Sequence, residues 1–336
     1  MGVSLPLWSG VQTDRRRTNL SKAQLRPFLA SANQRFEQNN LLRAAALQYW
    51  NWAEAVEQLR ITENVFALAV QRAAFISVRA RRGEVAPLDS VEALQEVERR
   101  RGEVFRTRRT VEQANIDASV YFWTDAGIPR ALKQSPHRLP NLPTMDSLQI
   151  RADRDQAMAL RPELQRLEFT QQSTSLDLSL ARESQKPVVE AKTQWLYYPG
   201  SSNNDNLKVG LDFSMPLFFR TASAQAELFT ISLERNRLQI AQTSRFINAE
   251  IDNTISAFQR AVERLDAAEK ETAFANQMEE GERKRFLAGE TSLLIVNLRE
   301  RAAAEARVRM VSARADCLRA WVLYVWSIGT IAQLAE

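Results

Sequence analysis

Two long stretches of this chain run almost without a backbone breaker, and they constrain the fold more than any other feature. From Leu20 to Arg82 the only proline is Pro27 and there is no glycine; from Ala222 to Arg285 there is no proline and only Gly281. In the first stretch Leu41, Ala45, Tyr49, Trp52, Val56, Leu59, Val65, Leu68 and Phe75 keep helical spacing. In the second, Ile247, Ile251, Ile255, Phe258, Val262 and Leu265 step by fours and threes, the spacing of a coiled-coil seam. A helix filling either stretch would be on the order of 90 Å long, with Pro27 marking a kink or the true start of the first. Only 10 glycines and 11 prolines occur in 336 residues, which argues against turn-rich all-β and βαβ folds.

The composition narrows the chemistry. One histidine (His137) and one cysteine (Cys317) leave no basis for most metal sites, histidine-dependent nucleophilic catalysis or an intrachain disulfide framework. No catalytic, cofactor or metal residues are assigned, and the chain is read as a non-enzyme. Cys317, on an apolar helix beside Ala320 and Trp321, is expected to be a packed thiol, and His137 to be exposed. The net charge of +5 permits an anionic partner. Nucleic acid is not expected, because Arg15-Arg16-Arg17, Arg99-Arg100-Arg101 and Arg108-Arg109 come with no interleaved aromatics or DNA-binding pattern. The longest apolar run, Ala320 to Trp326, falls well short of the roughly 20 residues of a membrane-spanning helix. Residues 1–8 carry no basic segment ahead of an apolar core and no small-residue cleavage site, so no signal peptide is expected within this chain.

Breakers and periodicity divide the chain. Gly83 ends the first long helix, Pro87 opens the next, and that one runs to about Ala126. Residues 127–146 carry four prolines and read as a connector that wraps rather than packs. A helix follows over about 147–186, interrupted at Leu160-Arg161-Pro162-Glu163-Leu164. Beyond Pro187 the period becomes two: Val189, Ala191, Thr193, Trp195 and Tyr197 alternate with Glu190, Lys192, Gln194 and Leu196, and after the loop at 199–206, Val209, Leu211, Phe213 and Met215 alternate with Lys208, Gly210, Asp212 and Ser214. This is a β-hairpin whose strands have the length of tilted membrane-spanning strands. The pattern fits either such strands or an edge hairpin of a soluble domain. The second long helix turns at Ala288-Gly289-Glu290-Thr291-Ser292 and returns from Leu293 to about Ile328.

The chain repeats itself. Val3-Ser4-Leu5-Pro6-Leu7-Trp8 matches Phe213-Ser214-Met215-Pro216-Leu217-Phe218, an offset of 216 − 6 = 210, and Arg82-Gly83-Glu84 matches Ala288-Gly289-Glu290, an offset of 289 − 83 = 206. Two distant anchors agreeing this closely indicate a duplicated unit of strand, long helix, tight turn and long helix. Val3 to Leu7 is then the end of a strand.

A strand ending in a Pro-Leu-aromatic motif, a very long helix, a glycine-centred turn and a return helix, duplicated and joined by a hairpin, resembles the outer-membrane efflux proteins, the TolC-like factors. The resemblance rests on Gly210-Leu211-Asp212-Phe213-Ser214-Met215-Pro216-Leu217-Phe218, on Leu160-Arg161-Pro162-Glu163-Leu164, on Gln48-Tyr49-Trp50-Asn51-Trp52-Ala53 and on the turns at Gly83 and Gly289. It implies a mainly α fold of long antiparallel coiled-coil helices in two repeats, with the hairpin contributing to a shared trimeric β-barrel. The division expected is a remnant strand at 1–8, a helical hairpin at 9–126, the connector at 127–146, a leading helix at 147–186, barrel strands at 187–218 and a second helical hairpin at 219–336.

By the same resemblance the chain is a homotrimeric tunnel in the outer membrane, with a periplasmic helical portion. It passively conducts substrates from an inner-membrane pump and a periplasmic adaptor (a membrane fusion protein). Val189, Ala191, Trp195, Tyr197, Val209, Leu211, Phe213 and Met215 would face outer-membrane lipid. Gly83, Glu84, Val85, Ala86, Asp89, Gly289, Glu290, Thr291 and Ser292 would form the tips that dock the adaptor and gate the tunnel, with Glu84 and Glu290 adding an acidic ring. The other reading of those tips is ordinary interhelical turns with solvated charges. Two departures stand out: Ile295 occupies the position six residues past the tip glycine where Asp89 supplies an acid in the first half, and the family's first helix and first strand have no counterpart before Val3. A truncated start or a decayed copy would each explain the second, and a soluble coiled-coil scaffold is the alternative to a channel.

Overall fold

The computed structural model describes residues 2–124, 126–130, 132, 139–140, 142–143, 145, 147–197, 205–215 and 218–334. His137, Tyr198, Pro216, Leu217 and the hairpin loop at 199–204 lie outside the described residues. In chain order the elements are β1 (Gly2–Pro6), α1 (Arg15–Arg81), α2 (Pro87–Ser119), α3 (Ser147–Leu160), α4 (Pro162–Glu183), β2 (Val188–Tyr197), β3 (Asp205–Ser214), α5 (Arg220–Leu287) and α6 (Leu293–Ser327), then a short 3-10 turn at Ile331–Leu334. They form two compact units, one of Met1–Glu37 with Met158–Asn248, the other of Gln38–Ala157 with Ala249–Glu336. The duplication is plain in the helix ends, since 287 − 81 = 206 and 293 − 87 = 206.

Helix boundaries follow from capping chemistry. α1 starts ahead of Pro27 because the Asp14 carboxylate accepts from the backbone N–H groups of Arg16 and Arg17 at 2.7 and 2.8 Å. The backbone hydrogen bonds from Arg17 and Arg16, with the charges of both arginines, hold the Asp14 carboxyl below its ordinary pKa against the opposing desolvation. Pro27 therefore sits inside the helix rather than at its start. It removes one N–H donor, while the Lys22–Asp177 ion pair at 2.7 Å and the Phe28–Phe169 stack at 5.9 Å hold the helix on either side. α2 stops at Ser119, short of the expected end near Ala126. Beyond it the backbone folds on itself: Arg130 N–H donates to Phe122 O at 2.7 Å and Thr124 N–H to Ile128 O at 2.9 Å, around Gly127 at φ +74°. α3 gives way to α4 at an extended Arg161, with Pro162 in the first turn where its missing N–H costs nothing.

In the first unit the three strands pair antiparallel in the order β1-β2-β3, with β2 central. The register puts Val3 opposite Thr193 and Leu5 opposite Ala191 across one ladder, and Val189, Ala191, Thr193 and Trp195 opposite Phe213, Leu211, Val209 and Leu207 across the other. Directly paired residues share a face, so all three strands present one continuous apolar face. The other face carries Ser4, Glu190, Lys192, Gln194, Lys208 and Asp212, with Lys192 ion-paired to Asp212 and 3.6 Å from Glu190. Below the sheet, Leu178, Ala181 and Ala226 form a small core with Phe229 and Leu233. Gly10 N–H donates to the Glu183 carboxylate at 3.1 Å, fastening the end of β1 to α4.

In the second unit α5 lays down a regular seam, but not quite the expected one. Ile251, Phe258 and Leu265 are buried as expected, whereas Val262 is exposed and Ile255 half-buried, their places being taken by Thr254 and Ala261. Thr254 is accommodated because its hydroxyl meets the Ile251 carbonyl and Ser327 Oγ at 2.9 and 3.1 Å. The seam then continues beyond Leu265 through Thr272, Glu279 and Glu282, all buried. Thr272 donates to Ala306 O at 3.0 Å and Arg307 ion-pairs with Glu279. α1 contains a window long and apolar enough by composition to cross a bilayer, although the chain has no unbroken apolar run of that length; its Ala69, Ala73 and Ile76 pack into the core instead.

Where it is described, the proline-rich connector packs rather than wraps. Leu139 is buried with Ala53, Val311, Ala315 and Leu318, and Leu142 and Met145 lie against the cluster of Phe258, Leu265 and Cys317. Tyr324 donates to buried Asp153 at 2.6 Å, tying α6 to α3. Cys317 is fully buried, and burial, reinforced by the neighbouring Asp316 charge, pushes its thiol up to about 11. The folded protein should therefore leave Cys317 unmodified by a thiol-specific reagent at pH 8, with one equivalent consumed only after unfolding in guanidinium; full reaction under native conditions would contradict this packing.

Candidate functional sites: the hairpin tips and the apolar sheet face

Both long helices end in the same backbone motif. At the first, Gly83 at φ +72° lets its own N–H donate to Ala80 O at 3.1 Å and the Glu84 N–H to Arg79 O at 3.0 Å. At the second, Gly289 at φ +78° does likewise, with bonds to Phe286 O at 3.1 Å and from Glu290 to Arg285 O at 2.9 Å. These are Schellman caps, which need a left-handed residue and so favour glycine. Ala86 and Ser292 then stand extended ahead of α2 and α6, and Asp89 lies in the first turn of α2.

The glutamates after each glycine are already engaged. Arg79 Nε donates to Glu84 at 3.0 Å, and Arg285 Nε lies 3.7 Å from Glu290, the same pairing in both repeats. A ring of free acids is thus not what the tips present; each carboxylate is balanced by the arginine five residues before it. The pairs are largely exposed and contribute little to stability.

The two tips are brought together by a common core. Ala69, Ala73 and Ile76 of α1, Ala93 and Val97 of α2 and Leu293 of α6 form one cluster, joined by Val85 and Phe286. Beside it, Arg72 of α1 ion-pairs with buried Glu300 of α6 and donates to Asn297 Oδ1 at 2.8 Å. Outside this core the tips expose apolar residues that sequence reasoning missed: Leu88, Val91 and Leu94 on α2, Leu287 at the end of α5, and Leu294 and Leu298 on α6. A signal was there, since Leu88 and Leu294 occupy equivalent places in the two repeats, 294 − 88 = 206.

On the sheet, Trp195, Val209, Leu211 and Phe213 all lie on the apolar face, with Val209 72% and Leu211 67% exposed, while Val189 and Ala191 are half-buried. Tyr197 closes β2 opposite Asp205, and its side chain lies outside the described part. Met215 falls one residue beyond β3 and is exposed there. Val3 and Leu5 of β1 and Leu207 of β3 join this face, which the sequence reading did not include. Among the described residues, no group of three or more His, Cys, Asp or Glu side chains is arranged to hold a metal ion.

No protein-family model matches the chain, and no curated protein matches it. Solved structures do. A membrane protein from Pseudomonas aeruginosa superposes with a TM-score of 0.76 at 14% identity, covering 98% of this chain and 82% of its own. The outer membrane protein VceC from Vibrio cholerae gives 0.74 at 13% identity, with 98% and 85% covered. The outer-membrane channel OprN gives 0.73 at 17% identity, with 98% and 80% covered. The chain therefore has the fold of the TolC-like outer-membrane factors.

The Arg72–Glu300 contact gives the tips a measurable signature. Glu300→Gln should leave the largely buried Arg72 guanidinium without its counter-charge and lower unfolding stability by about 3 kcal/mol, read as a lower denaturant midpoint at unchanged slope. The Arg72→Met/Glu300→Leu double variant should recover most of that loss.

Proposed function

We propose that the chain is a subunit of an outer-membrane channel in a tripartite efflux or type I secretion system, conducting passively what an inner-membrane pump delivers through a periplasmic adaptor. The observation that carries this reading is the exposed apolar face of β1-β2-β3. A water-soluble protein has no reason to keep a row of Val, Leu, Phe and Trp side chains uncovered on a three-stranded sheet, whereas lipid solvates such a face and polar residues on the reverse suit a water-filled interior. On this reading Val189, Ala191, Trp195, Tyr197, Val209, Leu211, Phe213 and Met215 meet lipid. The likeness in fold to outer-membrane channels supports the same placement.

The sheet also supports reading the chain as one subunit of a homotrimer. The three strands among the described residues cannot close a barrel by themselves, and their edges require partners inside a membrane; on this reading several copies share one barrel at residues 187–218 and 1–8. The hairpins at 9–126 and 219–336 then form the tunnel, outside the bilayer in the periplasm. Their tips, with Gly83, Val85, Ala86, Gly289, Thr291 and Ser292 in the turns and Leu88, Leu294 and Leu298 exposed beside them, suit docking of an apolar helical partner better than an acidic lock. The protein transforms nothing chemically; its work is conduction. The competing reading, a soluble coiled-coil scaffold, leaves the apolar face without a purpose.

Leu211→Arg tests this directly. A cation on the lipid side of a barrel strand costs about 2–4 kcal/mol at mid-bilayer, so the variant should disappear from outer-membrane fractions as a detergent-stable oligomer, while Lys208→Arg on the opposite face should be retained. Equal partitioning of both variants into the soluble fraction, with the wild type, would overturn the channel reading.

A further inference from the structure

We propose that the cleft between α1, α2 and α6 in the second unit is a binding site for a small multivalent oxyanion, one bearing several negative oxygens on phosphate or carboxylate groups. The cleft encloses about 460 Å³, and its lining includes Arg99, Arg100 and Arg106 from α2 and Arg301 and Arg309 from α6. Glu103 and Glu305 are the acids in that lining, so its charge is 5 − 2 = +3. Its floor is apolar, with Ile61 and Val65 of α1 and Ala304 and Val308 of α6. A concave, low-dielectric wall with an excess of one sign of charge concentrates its field on whatever enters.

Pairing with Glu103 and Glu271 occupies Arg106 and Arg309, but the other three arginines are only partly matched. Arg100 is nine-tenths buried, and only its Nε is matched, to Glu96 Oε1 at 2.8 Å. That same carboxylate also accepts from Arg99 Nε at 2.8 Å, so one acid serves two guanidinium groups. Burial pushes the Glu96 carboxyl up, but the Arg99 hydrogen bond and both arginine charges outweigh it and hold Glu96 ionised. Arg100 Nη2 and Arg301 Nε have no hydrogen-bond partner among the described residues. Glu305, one helical turn after Arg301, lies instead 3.9 Å from Arg309. Unmatched buried guanidinium donors are costly, and their planar forks fit the paired oxygens of phosphate or carboxylate. The two arginines do not recur in the opposite repeat, where Ala306 and Gln95 stand at 100 + 206 and 301 − 206.

Such an anion would join α2 of the first hairpin to α6 of the second, so its binding should stabilise their packing whether or not the chain conducts anything. The test uses the full-length protein in detergent at fixed ionic strength, with pyrophosphate, citrate and chloride as probes, read by isothermal calorimetry and thermal unfolding. Pyrophosphate, citrate or both should bind and raise the unfolding temperature while chloride does not; pyrophosphate alone would assign a phosphoryl ligand, citrate alone a carboxylate one. Arg301→Gln should weaken binding at least tenfold, and Arg100→Met likewise. Arg108→Gln, outside the cleft and paired to Glu63, should bind as the wild type does. Absence of binding by both probes to the wild type, or equal weakening by Arg108→Gln, overturns the site. Because Arg301 is only half-buried, its variant should keep its fold even if Arg100→Met does not.

Discussion

The packing of small residues where the two hairpins meet is the constraint on which the rest of this structure depends. Ala69, Ala73 and Ala93 are buried with Ile76, Val97 and Leu293 at the tips, and Ala303, Ala304, Ala306 and Ala315 continue the pattern along α6. Alanine lets helix backbones approach closely while losing no side-chain entropy on burial. Close approach, however, leaves less room for large hydrophobic side chains beside the alanines. Specificity is supplied by sparse polar contacts instead: Arg72 with Glu300 and Asn297, Arg307 with Glu279, Thr272 with the Ala306 carbonyl.

That division of labour accounts for the arginine content. The basic runs that look on paper like a phosphate-binding face are mostly satisfied by neighbouring carboxylates: Arg17 by Asp14, Arg101 by Glu98, Arg106 by Glu103, Arg108 by Glu63. Arg100 is matched only in part, its Nε by Glu96 and its Nη2 by nothing among the described residues. It sits on the buried side of α2 while Arg99 and Arg101 on either side remain exposed, because consecutive helical residues point about 100° apart.

Elements governed by local chemistry were legible in the sequence. The glycine turns, the prolines that open α2 and α4, the alternation in β2 and β3 and the repeat offset all appear in the structure, because each depends on a few adjacent residues. The fold class followed from them. What could not be read depends on tertiary partners. Pro27 stays inside α1 because Asp14 caps the helix earlier and contacts from α4 hold it; no propensity conveys that. The α5 seam seemed to end at Leu265 because Thr272, Glu279 and Glu282 do not look like seam residues, and only α6, with Arg307 and the Ala306 carbonyl, makes them acceptable there. The glutamates at the tips looked free because their partners, Arg79 and Arg285, lie five residues back, beyond the usual helical pairing distance.

β2 is the only strand of the sheet with a neighbour on both sides among the described residues. In the proposed shared barrel, the outer edges of β1 and β3 carry backbone groups that neighbouring copies satisfy, so completing the sheet is a reaction of higher order than folding. Material reaching its final state should rise steeply with local concentration rather than in proportion to it. One copy with a faulty edge strand, still able to pair on its good side, would remove its sound neighbours from service along with itself.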